Sequence, residues 1–242
     1  MNLLNTGQFA INQNTILAIT ANSGPGGVTG CGTPAGLLVS NGMLVNPGQT
    51  DGSVLYFNSL TQAAITGGTV PAGVQWAVSG STNTNNDCPN LQQPGTLLVQ
   101  NGNPGVCPIP KSTIRAGRGA VGLDSTGQYV IVVVVEGTDS GGVLTSDLAQ
   151  MLIALGAVNA VNFDGGGSTA FYWIPPTQTR APLVSEAAQQ MITDATFPPS
   201  LDLTVTPFLP TDEQRYDSED RAVYSSLGFT FTPLPTAAAP RK

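Results

Sequence analysis

Two carboxylates in this sequence stand where a strand-like run gives way to glycine: Glu136 before Gly137, and Asp164 before Gly165, Gly166, Gly167 and Ser168. Three successive glycines let a backbone approach a bound molecule closely and turn its amides toward an anionic or transition-state oxygen; Ser168 adds a hydroxyl donor. The same glycines would also serve a tight turn that needs only positive φ. Asp164 tilts the balance toward binding, because a carboxylate set at a strand end against bare glycine has little structural use unless it meets a ligand. A pair of carboxylates flanking one bond is the machinery of glycosidic cleavage.

Much other chemistry is excluded. The 242 residues contain no histidine, so the chain alone cannot build a Ser-His-Asp triad, a Cys-His pair or a His-ligated zinc centre. Eight Lys and Arg against fifteen Asp and Glu leave a net charge of −7. So few scattered cations form no basic stripe for a phosphate backbone, and nucleic acid is not an expected partner. No P-loop and no metal-ligand cluster is visible, so neither cofactor nor metal is expected.

Both carboxylates need strands to deliver them. Residues 128–135 are almost purely apolar, as expected of a strand buried on both faces and central in its sheet. Thr145 then offers an N-cap and Asp147 a first-turn acid. Leu148, Met151, Leu152 and Leu155 recur at helical spacing before Gly156 closes the run, which predicts a helix over about 146–155. Residues 158–163 read as a second buried strand. The fold class expected is α+β: a mixed sheet holding a parallel β-α-β unit with a right-handed crossover. Parallel strands end at one sheet edge, where ligands bind. Glu136 and Asp164 would then lie about 5 Å apart on neighbouring strands, or about 10 Å with one strand between.

The rest of the chain turns often, with 29 Gly and 19 Pro. Short strands are expected over 15–21, 36–40, 53–58, 74–79, 96–100 and 120–123, with turns at Asn41-Gly42 and Asn101-Gly102. Residues 81–95 and 103–110 read as loops, 185–192 as a short helix, and 201–206 and 222–232 as strands. The acidic run 212–220 reads as a solvated loop. One domain over 1–234 with a flexible tail over 235–242 accounts for the pattern, since no repeat or boundary separates two cores.

A charged fraction of 10% leaves a surface of Ser, Thr, Asn and Gln, a composition common in extracellular and virion proteins. No basic n-region opens the chain, so no secretory signal is expected. The longest apolar run, 129–135, is far short of the ~18 residues of a membrane span, and insertion is not expected. Cys31, Cys88 and Cys107 lack CxxC spacing. Cys88 and Cys107 bracket a polar loop too poor in apolar residues to order itself, and a bridge between them with Cys31 unpaired is expected. Three buried free thiols is the other reading.

Residues 118–137 (RGAVGLDSTGQYVIVVVVEG) and 141–170 (GGVLTSDLAQMLIALGAVNAVNFDGGGSTA) resemble the phosphodiester glycosidase family. Weaker likeness lies in 34–42 (PAGLLVSNG) and in Glu219-Asp220-Arg221-Ala222-Val223. Glu136 stands where the family usually has Asp, Phe163 where it has Leu, and Ala21-Asn22-Ser23-Gly24 only loosely resembles its Asn-Gly-Gly-Phe-Phe segment. The resemblance implies a hydrolase acting on a sugar-phosphate or glycan. It implies a site of Asp164, Gly165, Gly166, Gly167, Ser168, Arg118 and Arg221, with Asn22 and Asn162 as further members. Asp164 would face the sugar with Glu136 as the second carboxylate, while the glycine amides and Arg118 hold phosphate. Arg118 by itself also fits a surface salt bridge, since Lys111 and Arg115 lie nearby. The alternative is a non-catalytic virion component, such as a phage tail protein, that reuses the fold for structure or glycan binding beside other virion proteins.

Overall fold

The computed structural model describes residues 4–22, 34, 36–48, 53–59, 62–67, 69–80, 97–105, 115–137, 141–173, 214–217 and 226–229. In chain order its elements are α1 (Thr6–Gln13), β1 (Leu17–Thr20), β2 (Leu38–Ser40), β3 (Met43–Asn46), β4 (Val54–Ser59), β5 (Gln62–Thr66) and β6 (Trp76–Ser79). There follow β7 (Val99–Gln100), β8 (Asn103–Pro104), β9 (Arg118–Leu123), β10 (Val130–Val135), α2 (Thr145–Ala154), β11 (Asn159–Asn162), a 3-10 turn (Gly166–Ser168), β12 (Ala170–Trp173), β13 (Gln214–Asp217) and β14 (Ser226–Phe229). Three sheets result, ordered β3-β2-β6-β4-β5, β10-β9-β11-β7-β8 and β13-β12-β1-β14.

The sheet that carries both carboxylates differs from expectation in two respects. Every neighbouring pair in it is antiparallel, so it is not mixed. Strands β10 and β11 both pair antiparallel with β9 and therefore run in the same direction on either side of it, with α2 between them in sequence. Among the described residues strand β10 is at the sheet edge, not central. Its unbroken apolar run has another cause: both of its faces are covered. Ile131, Val133 and Val135 pack against the cluster around Leu148 and Leu152 of α2, while Val130, Val132 and Val134 pack into a second core.

That second core joins the three sheets. Ile19 and Ala21, Leu55, Ala63 and Val78, and Val121, Leu123, Val161 and Phe163 are buried together there. Burying such a side chain is worth ~1.5–3 kcal/mol, and the cluster therefore fixes how the strand ends of the three sheets meet.

Helix α2 begins one residue earlier than expected. Leu144 is its N-cap residue and Thr145 its first helical residue, and Asp147 accepts the Leu144 amide at 3.3 Å. Gly156, at φ 90°, follows the C-cap as the composition of the run requires. Gln214–Asp217, within the run expected to be loop, is strand β13 at a sheet edge, pairing with β12. A polar segment suits that place, where one row of backbone groups faces away from the sheet. Cys31, Cys88, Cys107, Arg221, and the expected helix 185–192 and strand 201–206 lie outside the described residues.

Candidate active site

Strand registry brings Arg118, Asn162 and the strand ends that lead to Glu136 and Asp164 to one edge. Val135 lies opposite Arg118, and Asn162 lies opposite Ala120, so β10 and β11 both end where β9 begins. Arg118 shares the face of Ala120, and Asn162 that of Ala160, which is the α2 side of the sheet. Glu136 is exposed, one residue past β10. With β9 between the two strands, it leaves the sheet about 10 Å from the exit of β11.

The loop after β11 is held by a series of backbone-amide bonds. Phe163 N–H donates to the Gly119 carbonyl at 2.8 Å, and Asp164 N–H to the Ala21 carbonyl at 2.9 Å. The Gly165 amide donates to Asp164 Oδ1 at 3.1 Å and the Gly166 amide to the Gly117 carbonyl at 2.9 Å. Ser168 and Thr169 amides then close a 3-10 turn on the Gly165 and Gly166 carbonyls at 3.3 and 3.1 Å. Gly166 sits at φ 61°, a left-handed conformation that a side chain would strain. The amides of Gly165 and Gly166 are thus engaged within the protein, and the Gly167 amide takes no part in these bonds.

Arg118 runs over this loop. Its Cδ and Nη1 lie 3.6 and 3.8 Å from the position a β-carbon on Gly165 would take. The side chain is partly buried, and desolvation draws its guanidinium below its ordinary value. An arginine remains protonated there at neutral pH, as a cation held against glycine backbone.

Other side chains shape the surroundings. Asn22 is fully buried, and its Nδ2 donates to the Ser79 carbonyl at 2.8 Å and to Ser79 Oγ at 2.9 Å. It ties the end of β1 to the end of β6. Gly80 follows, packed so closely that a β-carbon there would lie 2.5 Å from the Asn162 carbonyl. Ser168 is buried. Asn162 Oδ1 is buried and has no hydrogen-bond partner among the described residues. Thr169 Oγ1 is in the same position, 2.9 Å from where a Gly117 β-carbon would lie. Sequence reasoning passed over Thr169, although it directly follows Ser168. It also passed over Thr20, whose Oγ1 donates to the Ser168 carbonyl at 2.6 Å. Among the described residues no group of three His, Cys, Asp or Glu is placed to hold a metal ion.

Asp164 at a strand end, the glycine turn after it and the partly buried Arg118 thus lie at one sheet edge. The phosphodiester glycosidase family model matches residues 5–195, and the chain belongs to that family. It is similar to bovine N-acetylglucosamine-1-phosphodiester alpha-N-acetylglucosaminidase, with 40% identity over 58 residues, which are 24% of this chain and 11% of that protein. The fold is similar to the zebrafish N-acetylglucosamine-1-phosphodiester alpha-N-acetylglucosaminidase catalytic domain auto-inhibited by pro-peptide. The TM-score is 0.55 at 18% identity, over 71% of this chain and 57% of that one. A hypothetical protein from Synechocystis matches at TM-score 0.48 and 16% identity, over 70% of this chain and 49% of that one. The chain thus spans little more than half of the zebrafish domain's chain and a small part of the bovine protein.

Proposed function

We propose that the protein hydrolyses the glycosidic C1–O bond of a sugar linked through a phosphodiester, on a saccharide or cell-surface glycan. Water adds at C1 and the phosphomonoester departs with the bridging oxygen. A phosphate-linked leaving group is already good, so strong general-acid help is less needed than for an ordinary glycoside. The protein's main task is to stabilise positive charge developing on the sugar ring and to hold the phosphate.

Asp164 faces the sugar in this reading. Arg118 binds the phosphate, aided by the Gly167 amide and the Ser168 hydroxyl. Asn162 Oδ1, an acceptor without a partner among the described residues, takes a sugar hydroxyl. Glu136 is the second carboxylate, and a separation of about 10 Å leaves room for an attacking water between it and the ring. The observation that carries the reading is the placement of Arg118 beside the glycine turn that follows Asp164. The sparsely charged, Thr- and Asn-rich composition supports action outside the cell or on a virion.

One observation favours a second reading, a non-catalytic glycan-binding or virion structural protein: the Gly165 and Gly166 amides already have partners within the protein. Incubation of the protein with a sugar 1-phosphodiester separates the two. Free reducing sugar and a phosphomonoester in equal amounts support hydrolysis. Saturable binding without product supports the second reading.

A further inference from the structure

Thr20, the last residue of β1, and Ala21, which follows it, grip both ends of the Asp164–Ser168 turn. At one end the Ala21 carbonyl accepts the Asp164 amide at 2.9 Å. At the other Thr20 Oγ1 donates to the Ser168 carbonyl at 2.6 Å. Thr20 is buried, 2% exposed, and its hydroxyl also lies 3.1 Å from Thr6 Oγ1, itself buried at the start of α1. Ser226 Oγ, on β14, donates to Thr6 Oγ1 at 3.3 Å.

The direction of this chain of hydroxyls is fixed by elementary chemistry. A carbonyl only accepts, so the single proton of Thr20 goes to Ser168. Thr6 must then donate to Thr20, and Ser226 donates to Thr6. Each hydroxyl polarises the next, in a buried setting where an unmade bond is costly. The final donor meets the backbone of the turn that carries Asp164.

We propose that Thr20 is a positioning residue for this turn, with Thr6 and Ser226 orienting its hydroxyl, so that the N-terminal helix and the last described strand set the geometry of Asp164 and Ser168. The proposal rests on the glycosidase reading only for its catalytic consequence. Thr20 touches no substrate and acts through the Ser168 carbonyl. Its loss should therefore misplace Asp164 together with Ser168, and cost turnover more than ground-state binding, most of which Arg118 retains.

The test compares Thr20→Val, which keeps the shape and removes the hydroxyl, with Thr20→Ser, which keeps the hydroxyl. Thr6→Val and Ser226→Ala report the upstream links. With a sugar 1-phosphodiester as substrate, Thr20→Val should lower kcat about tenfold or more with a smaller rise in KM, and Thr20→Ser should restore most of both. Thr6→Val should have a smaller effect and Ser226→Ala the smallest. Hydrogen exchange at the amides of residues 165–169 gives a readout independent of turnover: faster exchange in Thr20→Val, close to wild type in Thr20→Ser. Wild-type kcat or wild-type exchange in a folded Thr20→Val overturns the proposal. If that variant does not fold, Thr6→Val decides: unchanged exchange at residues 165–169 overturns the proposal. A wild-type protein that cleaves no phosphodiester glycoside overturns the glycosidase reading, and the exchange measurements still judge the role of Thr20.

Discussion

Arg118 lies across Gly165, its Nη1 3.8 Å from the place a β-carbon on that glycine would occupy. The same β-carbon would stand 2.7 Å from the Gly117 carbonyl oxygen, which is backbone and cannot swing aside. Glycine at 165 is therefore what lets the arginine and the turn after Asp164 share one sheet edge.

Gly165→Ala should be destabilising by ~1–3 kcal/mol, as overpacking against fixed backbone is, and should displace Arg118. Chemical denaturation reads the first effect, and a rise in KM for the phosphodiester substrate reads the second. A stability and KM equal to wild type would contradict the packing.

Arg118→Ala should act chiefly on binding. In the role proposed for it, Arg118 meets phosphate in the ground state as well as in the transition state, so its loss should raise KM more than it lowers kcat. A hydrogen bond to a charged group is worth ~1.5–3 kcal/mol, which corresponds to a rise of about tenfold to a hundredfold. Steady-state kinetics on the purified variant would check the split.

These expectations start from residues that were legible early. Asp164, its glycines and α2 announce themselves over short stretches, because capping, helical spacing and a glycine run are local signals. The grip of Thr20 on the Ser168 carbonyl spans 148 positions, and no local pattern encodes it. The place of β10 at a sheet edge was hidden for a related reason. An apolar run reports that both faces are covered, and it does not say whether a helix and a second core or two flanking strands surround it. Helix α1 did leave a signal that went unread: Asn5 and Gln8 form a reciprocal capping box, with the Gln8 amide donating to Asn5 Oδ1 at 2.7 Å. Strand β13 left little, since a polar edge strand and a solvated loop share a composition.

The turn between β9 and β10 predicts a pH dependence. Burial alone would raise the Asp124 carboxyl, but bonds from the Thr126 hydroxyl and from the Tyr129, Thr126 and Gln128 amides outweigh it and hold the group below its ordinary value. A carboxyl lowered in the folded state contributes stability above its unfolded value of about 3.9 and loses it as pH falls through the lower folded value. Asp124→Asn should be less stable than wild type near neutral pH, and the gap should close below the carboxylate range. Urea midpoints of both proteins from neutral pH to pH 3 would show it; a gap that stays constant would contradict the assignment.

Leu152 tests the packing that fixes α2 on the sheet. It is fully buried, and its Cδ2 stands 3.2 Å from where a Gly122 β-carbon would lie. Leu152→Ala should cost ~2–5 kcal/mol, measured by thermal or chemical denaturation. A loss below ~1 kcal/mol would mean the helix is not docked as described.

The most direct measurement is release of free sugar from a sugar 1-phosphodiester by wild type and by Asp164→Asn, with circular dichroism confirming that both are folded. Asparagine is nearly isosteric but carries no negative charge to stabilise the developing oxocarbenium ion. The expected result is turnover by wild type and a loss of at least about a hundredfold in kcat in the variant. Near wild-type turnover by Asp164→Asn, or no cleavage of any phosphodiester glycoside by wild type, would contradict the assignment of Asp164 as the carboxylate that faces the sugar.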